Sequence, residues 1–283
     1  MQLPIIEPVT DAILPEFAQF LHTHLDQSRS TEQWQDGLRV SWNSPRPNYG
    51  FVLRDNDQIV GGIGAYYIER PIKGQIEKIC NITSWCVLED YRKQSMRLAM
   101  TVVKQPGYHF TDFSPTKVVG ATLQFLKFRP LDERQAVVFN IPYSLNSAIS
   151  ILDQADAIEA ALEGEALQIY RDHADFPWLK HVLVGKSGAW CHIIYKRTVF
   201  KHFPTATILY SSDKALFSSY LNRFSGYLLM RGYLTTLIEC RFLDKLPLLS
   251  VVRSGFNAKL YLSESLTDDD IDYLYSETMA LDL

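Results

Sequence analysis

Two segments far apart in the chain carry the same punctuation, and together they limit the fold more than any single motif does. Residues 51–68 read FVLRDNDQIVGGIGAYYI and residues 181–197 read HVLVGKSGAWCHIIYKR. Each is a β-branched and aromatic run broken by a short turn, Asp55-Asn56-Asp57 in one and Gly185-Lys186-Ser187-Gly188 in the other. That is the pattern of a β-hairpin. The same order of elements surrounds both. In the first half a helix is expected at 11–28, the hairpin at 49–69, a strand at 75–88, a helix at 91–105, a strand at 108–113, a helix at 115–127 and a strand at 134–141. In the second half the corresponding stretches are 147–166, with a break expected near Glu163-Gly164, then 178–198, 205–212, 214–231, 233–242, a short helix at 246–252 and a strand at 259–262. A last helix starts at Thr267, where three acids favour the positive end of its dipole. Residues 34–47 read as irregular, because Ser44-Pro45-Arg46-Pro47 cannot continue a helix. The expectation is an α+β fold, a mixed and mostly antiparallel sheet flanked by helices, present twice, with units at 1–145 and 146–283. The alternative is one mixed domain with a divergent extension.

The chain has 283 residues, 47% of them hydrophobic, enough for one large core or two ordinary ones. A net charge of −4 gives no bulk attraction to nucleic acid or to an anionic membrane surface. The first residues carry acids and prolines rather than a basic and apolar leader, and no run approaches the roughly 18 to 20 apolar residues of a spanning helix. A cytoplasmic protein is expected. Cys80, Cys86, Cys191 and Cys240 form no CxxC pair and no ligand set with histidine, so they are expected to be reduced and no metal site is read. Gly61-Gly62-Ile63-Gly64 lies inside a strand, where glycines permit a bulge or a close approach. His192 reads as a core histidine, with a catalytic base as the second reading.

Residues 81–104 carry the chemistry. An apolar strand ends in an acidic turn, a basic segment follows, and an amphipathic helix begins. Backbone N–H groups at a helix start, together with its dipole, form a site for an anionic group such as a pyrophosphate. Carboxylates at strand ends near such a site are candidate bases: Glu69, Glu77 and Asp112. Tyr143 follows the last strand of the first half and offers a phenol.

The turn Val87-Leu88-Glu89-Asp90-Tyr91-Arg92-Lys93-Gln94-Ser95-Met96-Arg97 resembles the cofactor motif V-x-P-x-Y-R-x-x-G-x-G of the GNAT superfamily of acyl-CoA-dependent N-acyltransferases. Tyr91-Arg92 match, and Ser95 and Arg97 replace the two glycines. A later family signature, Y-x-x-L-G-F-x, is echoed by residues 123–129, with Leu123 at the tyrosine and Lys127 at the glycine. The resemblance covers residues 1–145. It implies acetyl-CoA or another acyl-CoA as co-substrate, bound at Val87, Leu88, Arg92, Lys93, Gln94, Ser95, Met96 and Arg97. It also implies an amine acceptor, small molecule or peptide, and a pantetheine arm lying between diverging strands at 82–88 and 108–113. Glu77, Asp112 and Tyr143 are the candidate catalytic groups. A non-catalytic acyl-CoA- or protein-binding module is the alternative, an aminoacyl- or peptidyl-transferring relative a third, and an oligomer is compatible with each.

Overall fold

The two hairpins become the centres of two separate seven-stranded sheets. The structure, a computed structural model, describes residues 3–42, 44–142 and 148–282. In the first sheet β1 (Ile5–Pro8), β2 (Gly50–Asp55), β3 (Gln58–Ile72), β4 (Gln75–Val87) and β5 (His109–Asp112) lie side by side, followed by β14 (Leu260–Leu262) and β6 (Arg129–Pro130). The second runs β8 (Ser150–Leu152), β9 (Leu179–Lys186), β10 (Ala189–Phe200), β11 (Phe203–Ser211), β12 (Thr235–Glu239), β7 (Gln135–Phe139) and β13 (Ser250–Arg253). Each sheet has one parallel pair, β4 with β5 and β11 with β12, and its other pairings are antiparallel. The arrangement is therefore duplicated, as the element order implies.

The helices take equivalent places. α1 (Leu14–His24) and α2 (Thr31–Arg39) lie between β1 and β2, as α5 (Ala155–Ala161) and α6 (Gly164–Ala174) lie between β8 and β9. α3 (Ser95–Val103) joins β4 to β5, and α7 (Lys214–Met230) joins β11 to β12. α4 (Lys117–Phe125) follows β5, and α8 (Glu277–Ala280) ends the chain. Leu14, Phe17, Ala18 and Leu21 give α1 one buried stripe at helical spacing. Phe17 lies directly on β3: a Cβ on Gly62 would stand 2.3 Å from its ring. Gly62 thus answers to close approach, with the sheet's bulge nearby.

Four expectations are corrected. Residues 31–39 are helical, because Ser30 forms a capping box with Gln33 and Trp34 and Leu38 bury one face. The helix expected over 147–166 begins instead as strand β8, and the break expected near Glu163-Gly164 is present between two helices, with Gly164 at a φ of 56°. Residues 246–252 are not helical: Pro247 lacks the N–H a helix needs, and Val251 and Val252 instead pair with β7. The last helix expected from Thr267 is a single 3₁₀ turn, Asp268–Asp270, after which Ile271 is extended. Strand β1 is an addition to the expected elements.

The two sheets do not follow the 145/146 division strand for strand. β7 pairs with β12 and β13 in the second sheet, whereas β14 pairs with β5 and β6 in the first. Each half thus supplies a strand to the other. Further links cross between the halves. Arg70 donates to both carboxylate oxygens of Asp272 at 2.8 and 2.6 Å, and Trp178 Nε1 donates to the Met279 carbonyl at 2.9 Å. Trp42 packs among Tyr66, His173 and Tyr275. One apolar cluster runs through both halves. Fragments 1–145 and 146–283 should therefore show no cooperative thermal melt when produced separately, and should regain one when co-expressed, as read by circular dichroism.

Candidate functional site

The site begins where β4 and β5 part. Their parallel ladder holds only Ile79 to His109, Cys80 to Phe110 and Asn81 to Thr111. β4 then continues to Val87, while the chain after β5 turns into α4. A bulge opens the gap. The ladder with β3 pairs Gly62 with Cys86 but Gly64 with Thr83, so β4 carries one extra residue there. Ser84 absorbs it with a φ of 50°. Such a bulge bends its strand and increases the local twist. Between the diverging strands lies a cavity of about 250 Å³, lined by Thr83, Ser84 and Trp85 of β4, by Asp112 and Ser114, and by Trp34 of α2.

Two carboxyls lie at the root of this cleft. Asp112 ends β5 and is buried, with Oδ1 accepting from the Ser114 N–H at 3.2 Å. Glu277 is fully buried and arrives on α8. Its Oε1 accepts from the Phe113 N–H at 2.8 Å and from Ser114 Oγ at 3.1 Å, while Oε2 is buried without a partner. Asn81 fixes the apex: its Nδ2 donates to Thr111 Oγ1 at 3.0 Å, and its Oδ1 accepts from the Glu277 N–H at 2.8 Å. Burial pushes the Glu277 carboxyl up to about 7, against the hydrogen bonds that the Phe113 N–H and Ser114 Oγ donate to it. Burial and the neighbouring charge of Glu277 push Asp112 well above the ordinary range.

No family model matches the sequence, and no curated protein matches it either. Solved structures do. A GCN5-related N-acetyltransferase from Anabaena variabilis superposes with a TM-score of 0.62 at 10% identity, covering 91% of this chain and 72% of that one. A probable N-acyltransferase from Enterococcus faecalis gives 0.61 at 10% identity, over 92% and 72%. A putative acetyltransferase from Pyrococcus horikoshii gives 0.52 at 9%, over 97% and 94%. The fold is that of the GCN5-related N-acetyltransferases. At this identity the likeness is one of fold alone.

Within the GNAT fold the candidate residues fall in different places. Asp112 lies at the open end of the β4–β5 cleft. Glu77 lies at the closed end, where His109 Nε2 meets its Oε2 at 2.9 Å and His109 Nδ1 meets Ser263 Oγ at 2.8 Å. Those bonds tie β4, β5 and the residue after β14 together. Glu69 pairs with Lys78 at 2.9 Å. Tyr143 and the 145/146 division lie outside the described residues. Glu277 escaped the sequence reading. It meets Phe113 across 164 residues, and its only local sign is an acid inside the buried tail of the chain.

The cofactor candidates form one continuous turn. Val87 ends β4, and the Leu88 N–H donates to the Val60 carbonyl at 3.0 Å. Glu89–Gln94 is a 3₁₀ helix leading into α3. Arg92 and Lys93 are exposed, and Arg92 pairs with Glu89 at 3.1 Å. The N–H groups of Tyr91 and Ser95 donate to the carbonyls of Leu88 and Arg92. Met96 is half-buried, and the Arg97 guanidinium reaches Gln94 Oε1 at 2.7 Å and the Pro4 carbonyl at 3.5 Å. None of these residues lines the 250 Å³ cavity. Among the described residues no group of three or more His, Cys, Asp or Glu side chains is placed to hold a metal, and no helix is long and apolar enough to cross a membrane.

His192 belongs to a buried stack in the second half. Its Nε2 lies 3.1 Å from His181 Nδ1, and the His173 carbonyl lies 3.2 Å from His181 Nε2. Burial pushes His173 and His181 down to about 4 and His192 down to about 3. The unfolded chain therefore binds more protons than the folded one as pH falls below about 6.5, and stability is lost in that window at up to about 1.4 kcal/mol per pH unit for each group. Asp112 and Glu277 act oppositely, because raised carboxyls lose stability as pH rises toward neutrality. Replacing His192 with Phe should shrink the fall in melting temperature between about pH 6.5 and pH 4.5. Thermal melts across that range test this.

Proposed function

We propose that the chain is an acyl-CoA-dependent N-acyltransferase whose acyl donor lies in the β4–β5 cleft of the first half. The observation that carries the reading is the divergence of the parallel pair after Asn81 and Thr111, with the bulge at Ser84 and a cavity beside a buried carboxylate. From residue 82 onward β5 no longer pairs with β4. The amide groups of a pantetheine arm can bond there as an added strand would, and an N–H at Val87 or near the bulge is suited to polarise the thioester carbonyl, whereas that of Leu88 is already bound to Val60. The pyrophosphate is assigned to the α3 end, with Arg92, Lys93, Gln94, Ser95 and Met96 around it and Arg97 at the rim. Its exposed guanidinium is held by Gln94 Oε1 and the Pro4 carbonyl, bonds that a phosphate would compete for.

In this reading Asp112 takes the proton of the attacking amine. Glu77 is assigned to the closed end of the sheet, where it secures His109. The acceptor is an amine on a small molecule or peptide. The second half holds the first together by strand exchange and supplies the tail that reaches the cleft.

One observation favours the alternative of a binding module without turnover. The 3₁₀ turn uses the N–H groups of Tyr91 and Ser95 internally, and the buried Leu123 stands where the family's acid tyrosine would be. Titration with acetyl-CoA separates the outcomes. A ligand bound only by the folded state stabilises it by about 2.7 kcal/mol at a hundredfold excess over its dissociation constant. Acetyl-CoA at millimolar concentration should raise the melting midpoint, Arg92→Ala should reduce that rise, and free thiol should accumulate when an amine panel is added. An unmoved midpoint overturns the donor site, and a raised midpoint without thiol release selects the binding module.

A further inference from the structure

The proton chemistry of the cleft is not confined to one carboxyl. Asp112 lines the cavity, and Glu277 stands behind it on α8. Ser114 bridges them, its N–H bound to Asp112 and its hydroxyl to Glu277. Both side chains are buried, and among the described residues neither makes an ion pair with Lys or Arg. Of the other polar side chains lining the cavity, Asp26 is an acid held below its ordinary range by hydrogen bonds from Ser28, and the rest are neutral. Asn81 comes from β4, Ser114 from the turn after β5, and the Tyr66 phenol of β3 is near enough to feel the charge of Glu277.

Two neighbouring carboxyls in such a place do not both ionise at modest pH, because each charge is desolvated and each repels the other. The pair therefore keeps one proton between them. On Glu277, Oε1 takes two donors while Oε2 is buried with none, so a charge there is only half compensated. Asp112 lines the cavity.

Resting on the acyl-transfer reading, we propose that Glu277 is a positioning residue that shares one proton with Asp112 and so raises the basicity of Asp112, the base of the cleft. In the transfer step the amine N–H proton passes to the Asp112 carboxylate as the C–N bond forms. The thioester C–S bond breaks with its electron pair on sulfur, and the thiolate takes a proton from water. Raised basicity suits this role, since a carboxylate at its ordinary acidity is a poor acceptor for an amine proton. The group that raises it comes from the last residues of the chain and crosses from the second half of the duplicated fold.

Infrared difference spectroscopy of the whole protein tests the pair without needing turnover. The wild type should show the carbonyl stretch of a protonated carboxylic acid at about pH 6, titrating away as pH rises past neutrality. Glu277→Gln should abolish that band near neutrality and move the Asp112 titration down by roughly one pH unit or more. Asp112→Asn should likewise lower the Glu277 midpoint, and it decides the matter if the Glu277 variant does not fold. A wild type with no protonated carboxyl at about pH 6, or single variants that leave the partner's midpoint unmoved, overturns the proposal. With acetyl-CoA and an amine panel, Glu277→Gln should shift the acid limb of kcat/KM to lower pH, which a purely structural role would not do. If the band titrates as stated but no amine is acylated, the shared proton stands and the acyl-transfer reading falls.

Discussion

Each sheet needs a strand that the other half of the chain supplies. Without β14, β5 would be left as an open edge beside a two-residue strand, and without β7 the second sheet would lose the link between β12 and β13. An unpaired strand position inside a sheet leaves a row of backbone donors and acceptors with nothing to bond. The exchange also reaches the cleft. Leu260 of β14 is the ladder partner of Asp112, so a strand from the far end of the sequence sets the height of the candidate base. β14 runs antiparallel to β5 and leaves the sheet at its closed end, where Ser263 meets His109, so the residues after it must double back before Glu277 reaches the cleft.

The same fold position carries opposite electrostatics in the two halves. Glu239 ends β12 as Asp112 ends β5, and both are buried. Burial alone would raise Glu239, but Lys259 and Arg241 more than offset it and hold this carboxyl below the ordinary range. Arg241 donates to it at 2.6 Å, and Lys259 and the Tyr273 hydroxyl bond its other oxygen. It is a structural anion, permanently charged and fully partnered. At Asp112 no cation is supplied, and a second carboxyl stands in its place. A buried acid that is left without a cation is costly to stability and useful for moving protons.

The parts of the fold that were legible in the sequence are those fixed by local rules. Asn56 and Asp57 adopt left-handed backbone in the first hairpin turn, which their short polar side chains tolerate, so the hairpin announces itself. The strand–turn–helix at 81–104 is likewise local, and Asp112 was visible as an acid at a strand end. The exchange of β7 and β14 was not legible, because a short apolar strand does not name its partner. α2 hid because only Trp34 and Leu38 mark its buried face. Glu277 hid for the strongest reason: its role exists only through Asn81, Phe113 and Ser114, all far away in sequence.

Duplication did not produce two equivalent clefts. β11 and β12 also part after a short parallel ladder, from Thr205–Thr235 to Thr207–Leu237, and a cavity of about 230 Å³ lies beyond. Its walls include Asp268, Asp269 and Asp272, and Lys214 is already paired with Asp269 at 2.5 Å. The helix start that would receive a phosphate is capped from within, since Asp213 Oδ1 accepts from the Leu216 N–H at 2.7 Å. A carboxylate there satisfies the free N–H and the dipole, and repels a second anion. In the first half no side chain caps the start of α3, and the neighbouring Arg92 and Lys93 are exposed. The charge pattern is thus more favourable to an anion at the helix start of the first half, in keeping with the proposed donor site, while the second half completes the sheet and supplies Glu277.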